Sequence, residues 1–389
     1  MKKAISFTLA LAMACSLMAC GNSQSSDTSK DTSKDAATET TETAEATDDA
    51  AAAEGADSKT TIYIPMISKG FQHQFWQTAK KGAEDAAAKA GVEISFNGPP
   101  SESDIDKQVD MVKSEISKNP SALCLAALST DALMEQLQTC VENKIPVIGF
   151  DSGVPDAPDG AIYATACTNN GAAAAVAAQE LAKLDGYTDK IAAGTADKPV
   201  VIGILAQDAT SDSITSRSKG YVAEVKKIAE QYAASGVSVE GHELYNEPKD
   251  GASVIIKVQV SASSDVVDVT NAAKALLNTD NLLSVFCSNE GAVTGFLAAT
   301  ADGSDLGEGG KYEGLIVAGF DAGATQKEAV RNGWFVGSIT QDPYNIGYQA
   351  IELAVKAING EKVEDVDTGA KWYTKDNIDD PDIAQLVYD

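Results

Sequence analysis

Two aspartates occupy the same place in a motif that occurs twice in the chain. Residues 147–153 read VIGFDSG and residues 317–323 read VAGFDAG, so Asp151 and Asp321 each follow a short apolar run bounded by glycine. Such a run is typical of a buried strand in a parallel sheet. Open α/β sheets bind their ligands beyond the carboxyl ends of their strands. The repeat therefore predicts two α/β lobes that each present one carboxylate to a shared cleft.

The two carboxylates are compatible with three kinds of site. Each aspartate could simply cap the helix that follows it, because aspartate is a favoured N-cap residue. A pair of carboxylates facing a sugar could also belong to a glycosidase. The repetition of the motif favours a third interpretation, a binding site for a small polar molecule, because carboxylates accept hydrogen bonds strongly from hydroxyl groups.

Other signs of catalysis are missing from the sequence. Its two histidines, His73 and His242, are far apart, and no cysteine or histidine cluster has the spacing of a metal site. There is neither a Gly-x-Ser-x-Gly nucleophile motif nor a phosphate-binding loop. We therefore predict that the protein is not an enzyme and has no catalytic residue, no metal and no cofactor.

Strands and helices must alternate if the two aspartates are to stand at strand ends. The predicted elements of the first half are strand 61–67, helix 74–90, strand 92–96, a helix through 105–116, strand 122–128, a helix through 133–141 and strand 146–150. A second series begins near Ile162 and has helix 172–184, strand 200–206, a helix through 221–232, strands 283–288, 315–320 and 335–340, and helix 345–359. Residues 245–265 fit neither period and are predicted to be an irregular insertion. The alternation predicts doubly wound parallel sheets.

The N-terminus carries an export signal. Lys2 and Lys3 precede an apolar run, and residues 17–21 read LMACG, which resembles the lipobox of bacterial lipoproteins. We predict that residues 1–20 hold a lipoprotein signal peptide and that Cys20 becomes the lipidated first residue of the mature chain. The alternative is an ordinary secretory signal with an incidental cysteine.

Residues 21–57 form a tract of Ser, Thr, Asp, Ala and Glu with almost no large apolar side chain. Such a composition cannot bury enough surface to offset its chain entropy, so we predict a disordered tether. The formal net charge of the whole chain is −27. Like charges repel, which argues against nucleic acid as a partner and against adsorption to anionic lipid. The membrane would therefore be reached through the lipid anchor only.

Four cysteines follow the signal segment, and their most economical interpretation is as buried free thiols. They are Cys124, Cys140, Cys167 and Cys287. A disulfide between Cys124 and Cys140 is an alternative, because a strand and the helix that follows it pack together.

Several motifs of the remaining chain resemble those of a known family. They are Phe75-Trp76 after the first strand, PVIGFD ending at Asp151, VFCSNE with Asn289, VAGFD ending at Asp321 and ITQ ending at Gln341. In their order and spacing they resemble the type I periplasmic solute-binding proteins, in the branch of ribose-binding and related sugar-binding proteins. The resemblance extends from Thr60 to the end of the chain.

The resemblance implies an α/β fold of the periplasmic-binding-protein type I class, with two doubly wound parallel-sheet (Rossmann-like) lobes joined by a three-strand hinge. The binding domain would span residues 58–389. Its N-lobe would comprise about 60–166 plus 342–368, and its C-lobe about 167–341 plus 369–389. The ligand would lie between the two lobes.

The positions that match the family's ligand contacts are the predicted ligand-binding residues: His73, Phe75, Trp76, Asp151, Ser152, Thr215, Asn289, Asp321 and Gln341. Carboxylates and amides suit sugar hydroxyls, and aromatic faces suit the apolar face of a pyranose. Two of these positions depart from the family, because Ser152 and Thr215 stand where ribose-binding relatives carry arginines. Arg217 matches a family arginine that is more often structural. We therefore expect weak or no binding of ribose, and the ligand stays open among sugars, polyols and sugar-like autoinducers.

The resemblance, together with the lipobox-like signal, implies a monomeric protein that is lipid-anchored on the extracytoplasmic face of the cell membrane. It would capture a carbohydrate by closing its hinge and deliver it to an ABC permease with its ATPase. The alternative is a receptor of the same fold that presents a sugar or autoinducer to a sensor. The sequence leaves these two interpretations open.

Overall fold

The computed structural model describes residues 61–71 and 73–388. The predicted signal peptide, Cys20 and the tether 21–57 lie outside the described residues. Helices and strands alternate through most of the described chain. No helix in these two described ranges is long and apolar enough to cross a membrane.

Short strands recur along the described chain. In chain order they are β1 (Tyr63–Ile67), β2 (Glu93–Asn97), β3 (Leu123–Leu125), β4 (Val147–Phe150), β5 (Ile162–Cys167), β6 (Val200–Ala206), β7 (Val237–Glu240), β8 (Val254–Val260), β9 (Leu282–Cys287), β10 (Ile316–Phe320), β11 (Gly337–Gln341), β12 (Val366–Asp367) and β13 (Ala370–Tyr373). The strands predicted at 200–206 and 315–320 agree with β6 and β10 to within one residue at each end.

These strands form two separate sheets. The first has the order β12-β5-β4-β3-β1-β2, and all its neighbours run parallel. The second has the order β13-β11-β10-β9-β6-β8-β7 and is parallel except for β13, which runs antiparallel to β11. We call the first sheet with its covering helices the N-lobe, and the second sheet with its covering helices the C-lobe.

Helices cover both faces of each sheet. In chain order they are α1 (Gln74–Ala90), α2 (Ile105–Ser117), α3 (Met134–Asn143), α4 (Asn170–Ala182), α5 (Tyr187–Ala192), α6 (Asp212–Ala229), α7 (Val266–Leu277), α8 (Glu290–Ala299), α9 (Ala324–Arg331), α10 (Pro343–Ile358) and α11 (Pro381–Ala384). In the N-lobe, α1 and α10 pack on one face and α2 and α3 on the other. In the C-lobe, α4 and α6 cover one face and α7 and α8 the other.

Three chain crossings join the lobes. Strand β5 of the N-lobe leads into α4 of the C-lobe, β11 leads back into α10, and Thr368-Gly369 separates β12 from β13. At the second crossing, the Asp342 side chain accepts a hydrogen bond from the backbone N–H of Asn345 at 2.9 Å, and Pro343 opens the helix, so α10 begins directly after the crossing. The predicted fold class is therefore confirmed: two doubly wound lobes are joined by a three-strand hinge.

The prediction that residues 245–265 form an irregular insertion is wrong. They contain β8, which pairs with β6 along its whole length and with β7 on its other side. The strand buries Val254, Ile256 and Val258, while Lys257 is half-buried and donates a hydrogen bond to the Thr279 hydroxyl at 3.0 Å. Strands inside parallel sheets usually read as continuous apolar runs, and the lysine interrupts that pattern.

All four described cysteines are free thiols. Cys124 faces the α1 and α10 side of the N-lobe sheet, where its Sγ donates to the Ala350 carbonyl at 3.7 Å. Cys140 packs in the core on the opposite face of that sheet, so the alternative disulfide between the two is not formed. Burial raises the pKa of Cys140 to about 11 and that of Cys167 to about 12, which leaves both as neutral thiols near neutral pH.

Glycines let paired helices in each lobe approach closely. A Cβ at Gly220 in α6 would lie 2.2 Å from the Gly171 carbonyl oxygen in α4, although a Cβ at Gly171 would be 3.6 Å from its nearest neighbour. In the N-lobe, a Cβ at Gly347 in α10 would lie 1.9 Å from the Ala79 carbonyl oxygen of α1. A single methyl group at Gly220 or Gly347 would therefore force two helix backbones apart.

Gly220→Ala should lower the free energy of unfolding by about 1–3 kcal/mol, because overpacking of this size forces backbone shifts. Gly171→Ala in the partner helix is the matched control and should stay within about 1 kcal/mol of the unaltered protein, because alanine fits there and favours helix. Urea unfolding of both variants measures the difference. Equal losses in the two variants would contradict the role assigned to this contact.

Candidate functional site

The two repeated aspartates share a rare backbone conformation. Asp151 has a φ of 57° and Asp321 a φ of 81°, both in the left-handed region. That region costs an ordinary residue roughly 1–2 kcal/mol, although aspartate visits it more easily than most. An N-cap has extended backbone, and the N-cap of α9 after Asp321 is Gly323. The interpretation of these aspartates as caps of their following helices is therefore wrong. The strained turn instead points both side chains into the cleft.

Asp321 is held by partners from three elements of the C-lobe. Its Oδ1 accepts a hydrogen bond from the Gln341 amide at 2.6 Å, and its Oδ2 accepts from the backbone N–H of Glu290 at 2.9 Å. The Arg217 guanidinium lies 3.6 Å from Oδ2. Arg217 is 2% exposed and stacks over the Phe320 ring at 3.8 Å, so its charge compensates the Asp321 carboxylate from a buried position.

Asp151 is compensated by a lysine that the sequence analysis did not select. Lys69 follows β1, and its Nζ lies 3.1 Å from Asp151 Oδ2. Both side chains are almost completely buried. Burial raises the pKa of the Asp151 carboxyl, and the Lys69 ammonium opposes that shift. Burial lowers the pKa of Lys69, but the charges of Asp151 and Glu102 outweigh this and raise it, so Lys69 stays charged.

An aromatic wall stands beside these charges. Phe75 and Trp76 begin α1 and are both buried, with their rings edge-to-face at 4.9 Å. Trp76 also meets Phe150 edge-to-face at 6.2 Å. The Trp76 indole N–H donates to Glu102 Oε1 at 2.9 Å, which fixes the plane of the ring.

His73 and Glu290 face each other across the cleft. His73 precedes α1 in the N-lobe, Glu290 begins α8 in the C-lobe, and His73 Nδ1 lies 3.7 Å from Glu290 Oε1. Burial lowers the pKa of the imidazole, but the Glu290 contact and the charges of Glu102 and Asp321 outweigh it and raise the pKa to about 9. His73 is therefore a cation at neutral pH.

The structure brings seven of the nine predicted ligand-binding residues to one cavity between the lobes. These are His73, Phe75, Trp76, Asp151, Asn289, Asp321 and Gln341. The space between these side chains amounts to about 290 Å³, a figure that includes solvent at the open mouth of the cavity. It lies beyond the carboxyl ends of the central strands of both sheets, where parallel sheets bind ligands.

Ser152 and Thr215 do not line this cavity. The buried Ser152 hydroxyl accepts a hydrogen bond from the Ser213 backbone N–H at 3.3 Å, so it contacts the opposite lobe. The Thr215 hydroxyl donates to the Ser211 and Asp212 carbonyls of its own helix. Neither side chain replaces an arginine in function. The cation near Asp151 comes from Lys69 instead.

Four further residues line the cavity without having been predicted to bind: Lys69, Glu102, Arg217 and Glu290. Lys69 could have been found as a charged residue directly after a buried strand, and Glu290 as the neighbour of Asn289. Arg217 matched a family position that is more often structural. Glu102 lies in a loop with no sequence signal for a site. Only the folded chain brings its carboxylate to the cavity.

Two buried oxygens of the cavity residues have neither a hydrogen-bond donor nor a close cation within the described part of the chain. They are Glu290 Oε2 and Gln341 Oε1, whereas Asp151 Oδ2 has the Lys69 ammonium at 3.1 Å. Buried acceptors are usually paired, because leaving them unpaired is costly. Since both are acceptors, and a carboxylate has further lone pairs beside those its protein partners use, the site is built to receive donors from one small molecule. Hydroxyl groups are such donors, and the aromatic wall can cover an apolar face of the same molecule.

No group of three or more His, Cys, Asp or Glu side chains within residues 61–71 and 73–388 is arranged to hold a metal ion. The carboxylates of the cavity are instead compensated by lysine, arginine and histidine.

Comparison with known proteins agrees with this geometry. The chain belongs to the periplasmic binding protein family, whose domain model matches residues 64–362. The family resemblance inferred from the sequence is thus confirmed.

Among curated proteins, the chain is 24% identical over 317 residues to the D-allose-binding periplasmic protein of Escherichia coli, covering 80% of this chain and 90% of that one. A solved structure described as an ABC transporter, LacI family transcriptional regulator from Brachyspira murdochii is 41% identical, with a TM-score of 0.71, over 85% of this chain and all of the other. A solute-binding protein from Agrobacterium radiobacter in complex with D-arabinose is 25% identical, with a TM-score of 0.68, over 85% of this chain and all of the other.

The imidazole of His73 should titrate with a pKa of about 9, raised above its ordinary value of about 6.5. Its contribution to stability is then fully present below pH 6.5 and is lost as the pH rises through about 9. Proton NMR of an untagged protein measures the pKa directly, because the chain has only two histidines. His242→Gln assigns the two signals.

The same effect should appear in unfolding experiments. The difference in unfolding free energy between the unaltered protein and His73→Gln should be largest near pH 6 and should vanish above pH 9, since the other titrating groups cancel in the comparison. A His73 midpoint near 6.5 would show that the contact with Glu290 does not persist in solution.

Proposed function

We propose that this protein captures a monosaccharide, or a polyol of similar size, between its two lobes and delivers it to an ABC importer. The observation that carries the proposal is the meeting of two strand-end aspartates from opposite lobes in one cavity with an aromatic wall. A molecule with hydroxyls around a ring can satisfy acceptors on both lobes at once. The protein acts by binding and is not an enzyme.

The relatives support this class of ligand. A protein similar to this chain is named for D-allose, and similar solved structures contain D-arabinose and D-fucose. These sugars are neutral and carry several hydroxyl groups. The unpaired oxygens of Glu290 and Gln341 suit such donors, whereas an acidic sugar would add a further negative charge to a cavity lined by four carboxylates.

The described conformation is that of a closed clamp. Lys69 of the N-lobe donates to the Ser213 hydroxyl of the C-lobe at 2.9 Å, and the Thr210 hydroxyl donates to the Leu128 carbonyl at 3.0 Å. The lobes therefore contact each other directly around the cavity. A ligand that bridges them would stabilise this form over an open one, and the closed form is the state that a permease would recognise.

The site of action follows from the N-terminal sequence. We propose that lipid on Cys20 holds the protein at the extracytoplasmic face of the membrane and that residues 21–57 let the binding domain reach its permease. Several acyl chains anchor a protein durably, since each buried methylene contributes about 0.8 kcal/mol. The protein would act as a monomer.

Thermal unfolding with a panel of sugars tests the binding function. The panel should hold D-allose, D-arabinose, D-fucose, D-ribose, polyols and furanosyl autoinducers. A ligand at about a hundred times its dissociation constant should add about 2.7 kcal/mol of stability. Uptake of the labelled ligand by cells with and without the protein then tests delivery. Binding with unchanged uptake would favour a receptor over a transport protein.

Asp151→Asn and Asp321→Asn should each weaken binding of the ligand found in this panel by about a hundredfold. Each change removes a charged acceptor that can serve two hydroxyls, at about 1.5–3 kcal/mol for each hydrogen bond. Asparagine tolerates the left-handed backbone that both aspartates adopt, so the fold should be retained. Calorimetry measures the affinities.

Asp302→Asn is the matched control for the two aspartate variants. This exposed aspartate also has a positive φ, of 53°, but it follows the C-terminal end of α8, whereas the cavity residue Glu290 begins that helix, so its substitution should leave affinity unchanged. Near-normal affinity in both cavity variants would show that the ligand binds elsewhere.

Cys20→Ser should prevent attachment of labelled fatty acid and release the protein from the membrane fraction. The expectation rests on residues 17–20, which read LMAC. Cys15→Ser is the control within the same signal segment and should leave labelling intact. A protein that takes up no label without any substitution would rule out the lipid anchor.

A further inference from the structure

A buried chain of hydrogen bonds crosses the cleft beside the cavity. The Trp76 indole N–H donates to Glu102 Oε1, the Gln207 amide donates to Glu102 Oε2, and the Asn289 amide donates to Gln207 Oε1, each at 2.9 Å. Trp76 and Glu102 belong to the N-lobe, whereas Gln207 and Asn289 belong to the C-lobe. All four side chains are at most 9% exposed. We call this set the cleft relay.

The orientation of the Asn289 amide determines which atom donates and which accepts in every hydrogen bond of the cleft relay. The backbone N–H of Ala292 in the first turn of α8 donates to Asn289 Oδ1 at 3.0 Å. The Asn289 amide nitrogen must therefore face Gln207, which has to accept through its Oε1. Gln207 is left with its amide nitrogen pointing at position 102. A side chain there must accept from Gln207 and from the Trp76 indole at once.

A glutamate meets this requirement because an ionised carboxylate accepts through both oxygens and donates through neither. Burial raises the pKa of Glu102, but the charges of Lys69 and His73 and the two hydrogen bonds outweigh burial and lower it, so the group is ionised. The space around Gln207 is equally specific. A Cβ at Gly291 would lie 1.8 Å from Gln207 Oε1.

We propose that Glu102 and Gln207 are positioning residues of the ligand site, which join the indole of Trp76 to the amide of Asn289 when the lobes close. This inference rests on the proposed function and adds the residues that couple its two walls. Both Glu102 oxygens already have donors within the protein, so the carboxylate acts on the ligand through Trp76 and Asn289. Because the central hydrogen bond crosses between the lobes, it forms only in the closed clamp.

The loop that carries Glu102 supports this role. Its neighbours Ser101 and Ser103 also reach the C-lobe, where Ser103 contacts the Ser264 hydroxyl at 2.7 Å and Ser101 donates to Asp265 at 3.3 Å. These outer contacts are exposed to water, while the inner one through Glu102 is buried. A hydrogen bond contributes more when its loss leaves a buried group unpaired. The inner contact should therefore dominate the coupling.

An exchange of the two side chains tests the cleft relay. Glu102→Gln leaves one buried donor facing another, and Gln207→Glu places two carboxylates together, so each change alone should weaken ligand binding tenfold or more, chiefly through faster dissociation. In the double variant E102Q/Q207E, the new amide accepts from Trp76 and donates to the new carboxylate, which accepts from Asn289. Every hydrogen bond of the relay is restored, with its central bond reversed.

The measurements are the affinity and dissociation rate of the sugar or polyol that binds the unaltered protein most tightly, with the melting temperature as a check on folding. The double variant should recover to within about fivefold of the unaltered affinity. Ser103→Ala, in the same loop, is the control and should change affinity by less than about threefold.

If the double variant folds but does not recover its ligand affinity, the proposal is overturned. That result would indicate that the Glu102 carboxylate contacts the ligand directly, because moving such a carboxylate to the other lobe would lose the contact. Single variants that bind normally would also overturn it. If the unaltered protein binds no member of the panel, the proposed function fails together with this inference.

Discussion

Burying a carboxylate costs several kcal/mol unless a partner compensates its charge, and the closed cleft buries several of them. This constraint determines which elements must meet. Three cationic side chains each lie beside a carboxylate that follows a strand or begins a helix. They are a lysine after β1, an arginine on α6 and a histidine before α1. The pairs are Asp151 with Lys69, Asp321 with Arg217 and Glu290 with His73. Because the third pair spans the cleft, compensation of charge is also a contact between the lobes.

The ion pairs of the cleft limit which functional groups a ligand can use to bind there. The cations are already engaged by protein carboxylates, and the unpaired polar atoms of the described cavity residues are acceptor oxygens of Glu290 and Gln341. A neutral molecule with many hydroxyls can donate to both of them without bringing a charge of its own into the buried site. The same arrangement opposes anions, because a further negative charge would lie beside carboxylates in a medium of low dielectric constant. The proposed preference for a neutral ligand thus rests on the same ion pairs that make the cleft stable.

Lys69 shows that the positive charge beside a binding-site carboxylate can be supplied from a different position in the chain. The resemblance to the ribose-binding branch leads one to expect an arginine where Ser152 stands. In this protein the positive charge beside Asp151 comes from another loop, and Ser152 serves as a contact between the lobes. The position of a charge in space is constrained by the carboxylate, whereas its position along the chain is not. A sequence comparison that follows single positions detects the loss of the arginine and overlooks the lysine.

The class of fold and the pair of strand-end aspartates could be predicted from the amino-acid sequence, because these features depend on local apolar runs and on periodicity. Helix α1 was predicted with the bounds that it has, Gln74–Ala90. Strand β8 was missed because Lys257 interrupts its apolar run, and its pairing with β6 and β7 stabilises it there. The folded chain was needed to show that Glu102 and Gln207 belong to the cleft. They are 105 residues apart, and no local pattern encodes a hydrogen bond that exists only when two lobes meet.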